Sequence, residues 1–368
     1  MAPLIVTDPG ALPPSGAVEA LAPAAWAATR PDLHLVLAPD GATRARLSVW
    51  HARPVPVPPG TFAGDPPTAA VVGHAAWTDP ADGAVLLAHA RQLLADLGAT
   101  HVVGPMDGST WHAYRVVTDA APSGGATEPP FAMEPAPPPA VAEAFAADGF
   151  APVARYLSAR VDTLADESAR VAERRRLFAS RGLTFVPADD LGAALDDIYV
   201  ISVAAFASNA FYTPLPRDAF LATYRPLLPH VDPRLVRFAR DADGRAVAFA
   251  FGVPDLAQAA RGEAVDTVIV KTIAVDPARR AAGAGSALVG ELHEAARLAG
   301  YRRAIHALMH EANASTRISA HTARPMRRYA LLGRMVGTGR GAKGEGWGPS
   351  QAGERADLLA PRPSPLAP

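Results

Sequence analysis

The sequence predicts an α/β fold in which two tandem domains each carry a central mixed sheet flanked by helices. The chain has 368 residues, 49% of them hydrophobic, which is length and apolar content enough for two cores. A strand, an Asp-Pro step, a helix and a second strand occur twice. The first copy runs through Asp79-Pro80 and the second through Asp276-Pro277, with helix-bracketing glycines Gly83 and Gly98 spaced as Gly285 and Gly300 are. The run Thr267–Val275 (TVIVKTIAV) is β-branched and too apolar for a sheet edge, so it belongs inside a sheet.

Each element has its own warrant. Leu33–Leu37 and Ala69–Trp77 are short apolar runs bounded by turn residues and predict strands. Between them, Arg53–Pro67 is too rich in proline for regular structure, because proline lacks a donor and fixes φ. Gly83–Leu97 has helical apolar spacing and stops at Gly98, and His101–Val103 follows as a strand. A second proline-rich break covers Ala120–Pro139, and the charged stretch Thr163–Ser180 predicts a connecting helix with a solvated face at Glu173-Arg174-Arg175-Arg176. Helices are then expected over Leu191–Ala207 and Pro216–Leu228. A hairpin, Leu235–Arg240 with Ala246–Val253, turns at Asp243-Gly244. Ser286–Ala299 reads as a helix and Ala304–Met309 as the next strand. The expected domains are 1–160, a linker helix over 161–184, a second domain over 185–337, and a disordered tail over 338–368.

Composition removes several functions. With 35 basic against 36 acidic residues the net charge is −1, which argues against a nucleic-acid binder. The absence of cysteine excludes disulfides, thiolate metal sites and a cysteine nucleophile. The N-terminus has no basic region ahead of its apolar residues, and no stretch is long enough to span a membrane. A cytoplasmic protein, monomer or homodimer, is the expectation, with no nucleic-acid or membrane partner and no metal.

The segment that carries chemistry is the second strand–helix unit. Its turn holds Arg280-x-x-Gly283-x-Gly285, and the helix begins at once. Glycines there leave loop amides uncovered, and the positive helix end favours a pyrophosphate. A dinucleotide fingerprint would need a third glycine where Leu288 stands, and a Walker A loop would need a lysine before Ser286.

In its full context, strand, Asp-Pro, Arg280-x-x-Gly283-x-Gly285, helix and strand, the segment resembles motif A of the GNAT acetyltransferase superfamily. The resemblance continues through His310-Glu311-Ala312-Asn313 and Arg328-Tyr329-Ala330-Leu331-Leu332-Gly333, and covers roughly residues 190–335. It implies acetyl-CoA as cosubstrate, with Arg280, Ala281, Ala282, Gly283, Ala284, Gly285 and Ser286 around the pyrophosphate. It further implies Ile273, Ala274 and Val275 along the pantetheine arm, Asn313 beside the cofactor, and Tyr329 as general acid toward the thiolate. Tyr329 is otherwise an aromatic helix residue packed on the core. Family members commonly carry a glutamate base four residues before the equivalent of Ile273, and here Ile269 stands there. Water, Glu311, His310 or His306 are then left to take the amine's proton. His306 and His310, four apart on one strand, are expected to share a face.

The acceptor is expected near Phe206, Asn209 and Tyr212, by their position at the end of a helix. The first half has no room for the phosphate loop between Asp79 and Gly83, and Asp82 would repel a phosphate. It therefore reads as a degenerate GNAT-like domain in which Trp111, with Tyr114, Arg115 and Phe131, helps to wall a substrate pocket. The implied reaction is N-acylation of a small amine or peptide by direct attack. The competing reading is a non-catalytic acyl-CoA sensor or scaffold.

Overall fold

The computed structural model describes residues 2–124, 126–135, 137–279 and 283–336. Arg280, Ala281, Ala282 and the tail over 338–368 lie outside them. The chain forms two compact units that interleave in sequence. One comprises 1–116, 137–153 and the stretch from Leu331, and the other 117–136 and 154–330.

In the first unit, β1 (Leu4–Val6) is followed by α1 (Pro23–Thr29), β2 (Leu33–Leu37), β3 (Ala45–Pro56) and β4 (Thr68–Ala76). Helix α2 (Pro80–Asp96) leads to β5 (His101–Gly104) and, after β6 (Val116–Asp119), to α3 (Pro139–Ala147). Strands β1 to β4 are antiparallel neighbours in sequence order, and β4 and β5 are parallel. The outer side of β5 is covered by Leu332–Met335. Asp79 caps α2, accepting from the Ala81 N–H at 2.9 Å, and Pro80 opens the helix. Gly83 therefore lies inside α2 rather than bounding it. It is glycine because a Cβ would fall 2.4 Å from the Trp77 ring.

The second unit takes most of β7 (Ala151–Val161), then α4 (Ser168–Ala179), β8 (Thr184–Pro187), α5 (Leu191–Phe206) and α6 (Arg217–Tyr224). It continues with β9 (Val236–Arg240), β10 (Ala246–Pro254), α7 (Leu256–Ala260), β11 (Thr267–Val275), α8 (Ala284–Leu298), β12 (Arg303–His310) and α9 (Ala314–Ser319). Strand β13 (Arg324–Met335) begins here and ends in the first unit. Its strands run β8-β9-β10-β11-β12-β7, with β11 and β12 parallel and the other neighbours antiparallel. The order matches that of the first unit, where residues of β13 stand in place of β7. A core of Val268, Val270, Ala248, Ala250, Leu288, Leu292 and their neighbours fixes α8 and α4 on one face.

Several expectations needed correction. The proline-rich stretch is regular up to Pro56, because a register break between Trp50 and Val55 lets Arg53 and Pro54 leave the ladder before pairing resumes at Val55↔Ala69. The helix expected to Leu228 gives way at Arg225 to a 3₁₀ turn that contains Pro226 and Pro229. The Tyr329 segment is strand β13, not helix, despite residues that favour helices. Glu173, Arg175 and Arg176 are exposed on a solvated face as expected, while Arg174 is half-buried and Arg174 and Arg175 also reach inward. Arg174 donates to the Ser286 carbonyl at 3.0 Å, and Arg175 pairs with the buried Glu291 at 2.6 Å.

Candidate functional site

The parallel pair at the centre of the second unit does not stay closed. β11 and β12 are in register only from Thr267↔Arg303 to Val270↔His306. From Thr272 to Val275, β11 is paired with β10 alone among the described residues. Both strands bulge where they part. Against β10, Phe251↔Thr272 is followed by Gly252↔Val270, so Lys271 is an extra residue in β11. Against β7, His306↔Ala159 is followed by Met309↔Leu157. The surplus is taken up at Leu308, whose φ is 55° and whose N–H donates to Ser158 Oγ at 3.0 Å.

These bulges reverse the side-chain alternation. Ile269 packs in an apolar cluster with Phe131, Ile305 and Met326. Past Lys271, Ile273 and Val275 instead join the α8 face. On β12, His306 and His310 pair with Ala159 and Tyr156, positions an odd number apart, and so face opposite ways. The expectation that they share a face fails for this reason. His306 is buried against His293 of α8, and burial, then the His293 charge, holds its pKa at about 3. His310 stacks edge-on against Tyr156, and its Nδ1 accepts from the Ala312 N–H at 3.2 Å.

Helix α8 starts beside the open edge. Its N-cap is Gly283 at φ 87°, a conformation that favours glycine; no side chain caps it, and its first turn holds no acidic residue. Gly285 is packed against the strand, where a Cβ would sit 3.7 Å from Ile273, 3.8 Å from Val275 and 3.9 Å from Ile318 of α9. Ile273, Ala274, Val275, Gly283, Ala284, Gly285 and Ser286 are thus brought together. Asn313 precedes α9, exposed, with its N–H on the His310 carbonyl at 2.9 Å.

The remaining residues are placed differently. Glu311 is ion-paired to Arg328. Tyr329 is almost fully buried, and its hydroxyl donates to Glu134 and lies 3.2 Å from Ser158 Oγ. Burial, then the Glu134 charge, pushes its pKa far up. Glu134 is itself fully buried and paired with Arg327, so the tyrosine hydroxyl is committed to a closed polar cluster. Phe206 ends α5, the Asn209 N–H bonds the Phe206 carbonyl at 2.9 Å, and Tyr212 is buried. Helix α5 packs on β10 and β11, which ties this segment to the strand that carries the open edge. Trp111 belongs to the first unit. Sequence reasoning missed Glu134, Ser158, His293 and Ser319. Of these only His293 left a signal, as an imidazole among the buried positions of an amphipathic helix.

Residues 196–318 match the Acetyltransferase (GNAT) family. A GCN5-related N-acetyltransferase from Sphaerobacter thermophilus is 15% identical, with 83% of this chain and 80% of that one covered at a TM-score of 0.46. A tandem GNAT protein from the clavulanic acid biosynthesis pathway is 15% identical over 83% of each chain at a TM-score of 0.43. No curated protein matches the sequence. Among the described residues, no helix is long and apolar enough to cross a membrane, and no group of three or more metal-ligating side chains is present.

Proposed function

We propose that this chain, which carries a GNAT acetyltransferase-family domain over residues 196–318, transfers an acetyl or short acyl group from CoA to an amine. One observation carries the reading. The β11 edge that has no strand partner among the described residues ends at a glycine-capped helix start with no carboxylate in its first turn. The first-turn amides of Gly283, Ala284, Gly285 and Ser286, which no side chain caps, suit a pyrophosphate, and Arg280, Ala281 and Ala282 would continue that loop. The backbone of Ile273, Ala274 and Val275 is the ladder that an extended pantetheine arm requires, with Asn313 beside it. One amide of that edge would polarise the thioester carbonyl. The acceptor is a small amine or peptide, met from the α5 side near Phe206, Asn209 and Tyr212, with no role for nucleic acid or membrane. The chain is read as cytoplasmic, working as a monomer or homodimer.

Proton transfer needs other groups than the family pattern suggests. Ile269 cannot take a proton, and the Tyr329 hydroxyl is held by Glu134. His310 Nδ1 accepts the Ala312 N–H, so that nitrogen is already engaged. Glu311 would have to leave Arg328 to act as a base. These observations also favour a second reading, an acyl-CoA-binding protein without turnover. Thiol release from acetyl-CoA across a panel of amines separates the two.

Calorimetric titration of acetyl-CoA tests the site itself. Wild type should bind. Gly285→Glu has room for its Cβ but sets a carboxylate near the phosphates, and should weaken binding about a hundredfold without lowering the melting temperature. A wild type that does not bind acetyl-CoA sinks the acyl-transfer reading.

A further inference from the structure

Beneath the point where β11 and β12 part lies a buried chain of three side chains that the acyl-transfer chemistry has not yet used. Ser319 Oγ lies 2.5 Å from His306 Nδ1, and His306 Nε2 lies 2.9 Å from His293 Nε2. The two rings stack at 5.1 Å, and all three residues are buried. His293 in turn borders a cavity of about 160 Å³ lined also by Thr163, Leu164, Glu167 and Thr322. The chain thus runs from the point where the strands part to a cavity whose wall mixes Val161, Leu164 and Ala165 with Thr163, Glu167 and Thr322.

Its inner end is where the reacting group would be. The first turn of α8 lies against Ile273 and Val275, so an extended ligand anchored there runs back along β11 toward Thr272. It ends at Val270↔His306, the last pair before the strands separate. His306 and Ser319 are polar groups at that apex, on the face that holds α8 and α9.

The chain has two complete hydrogen-bonded states. In one, Ser319 donates to His306 Nδ1, and His306 Nε2–H donates to His293 Nε2. In the other, every bond is reversed, and the serine hydroxyl is free to donate to Met309 Sδ, 3.1 Å away. Passing from the first to the second moves one proton through the chain and creates no imidazolium. That matters because burial holds both rings neutral, His293 at about 4 and His306 at about 3, so neither can store the charge.

We propose that Ser319, His306 and His293 form the exit path for the proton of the nucleophile that attacks the thioester. The inference rests on the acyl-transfer reading. As the amine or water nitrogen or oxygen bonds to the acyl carbon and the C–S bond breaks, the nucleophile's proton passes to Ser319 Oγ. The serine proton passes to His306 Nδ1, the His306 Nε2 proton to His293 Nε2, and the His293 Nδ1 proton to water in the cavity or to Glu167. The thiolate takes its proton from solvent. The relay lies on the α8 face of the sheet, whereas Ile269 faces the other side, so the proton leaves by a different route from the one a carboxylate at position 269 would offer.

Acetyl-CoA alone tests this, with water as the nucleophile and thiol release as the signal. His293→Ala should keep the affinity for acetyl-CoA by calorimetry within about twofold and slow thiol release about tenfold or more. Added imidazole should restore the rate, and N-methylimidazole, with one nitrogen blocked, should not. His293→Gln fills the space and can still bond His306, yet cannot relay, so it should be slow while melting like wild type. The proposal is overturned if either variant keeps the wild-type rate, if both imidazoles rescue equally, or if wild type binds acetyl-CoA without releasing thiol above the buffer rate. A wild type that fails to bind acetyl-CoA removes the underlying reading instead, and the calorimetry shows which has failed.

Discussion

The two units share one strand order and differ in what fills the gap where the parallel strands part. In the second unit, among the described residues, no strand pairs with β11 on the β12 side beyond Val270. In the first, β4 and β5 are in register only at Ala70↔Val102 and Val71↔Val103, and the chain after β5 folds back into the opening. The Met106 N–H bonds the Val72 carbonyl at 2.8 Å, and Asp107 Oδ1 accepts the His74 N–H at 2.6 Å. Behind them Ser48 joins His34 and His74 in a buried polar chain. The helix starts differ as well. α2 is capped by Asp79 and carries Asp82, paired with Arg44, in its first turn, whereas α8 has a glycine N-cap, no side-chain cap and no acidic residue in its first turn. On the proposed reading, one topology serves either as a receptor for an extended anionic ligand or as a sealed sheet, and the Met106–Asp107 plug with the carboxylates of Asp79 and Asp82 separates the two.

The largest expected effect breaks the seal. A Cβ on Gly73 would fall 1.9 Å from the Met106 carbonyl oxygen, so Gly73→Val should cost about 3 kcal/mol or more in chemical denaturation. Thr272→Val, on the open edge of the second unit, should cost less than about 1 kcal/mol.

Acid comes next, and the two units should answer it unequally. Burial lowers His34 and His74 to about 3, as it does His306, with His293 at about 4. The unfolded chain gains these protons near pH 6.5 and the folded one does not. Each imidazole therefore contributes stability above pH 6.5 that is lost as pH falls, about 1–2 kcal/mol by pH 5. Asp107 works the other way. Burial raises it to about 6, so the folded unit keeps a proton that the unfolded chain releases, and stability is gained as pH falls from 6 toward 4. Hydrogen exchange corrected for intrinsic rates should show β10–β12 losing protection before β2–β4, and Asp107→Asn should erase the difference.

Tyr329→Phe should cost about 1–2 kcal/mol by leaving Glu134 short of a donor, with thiol release unchanged. A collapse of turnover at unaltered stability would return Tyr329 to the role of general acid. The smallest effect is expected for Asp82→Ser, which loses the pair with the half-exposed Arg44 and should cost at most about 1 kcal/mol. Because the plug remains, acetyl-CoA should still titrate to one site per chain.

Strand β11 and helix α8 were legible because three local signals coincide there: a β-branched run, glycines at a helix start, and helical spacing after them. Strands β3, β7 and β13 were not. β3 carries prolines at a register break, and β13 is built from Arg, Met, Leu and Ala, which become strand only through their neighbours. The bulges at Lys271 and Leu308 were equally hidden, and with them the true facing of His310. Contacts such as Tyr329 with Glu134 or His74 with Asp107 join residues far apart in sequence, where no spacing rule reaches.

The exchanged last strands bear on how the protein is made. Each half finishes its sheet with a strand from the other part of the chain, β7 beside β12 and Leu332–Met335 beside β5. On the ribosome, the N-terminal unit waits with β5 uncovered until Leu332–Met335 have emerged, more than two hundred residues later. Its completion is thus a late, long-range event, slow by its loop-closure entropy and dependent on holding that bare edge away from other nascent chains. A chain stopped before Leu331 would lack the cover of β5 and should be recovered in aggregates rather than as a shorter soluble protein.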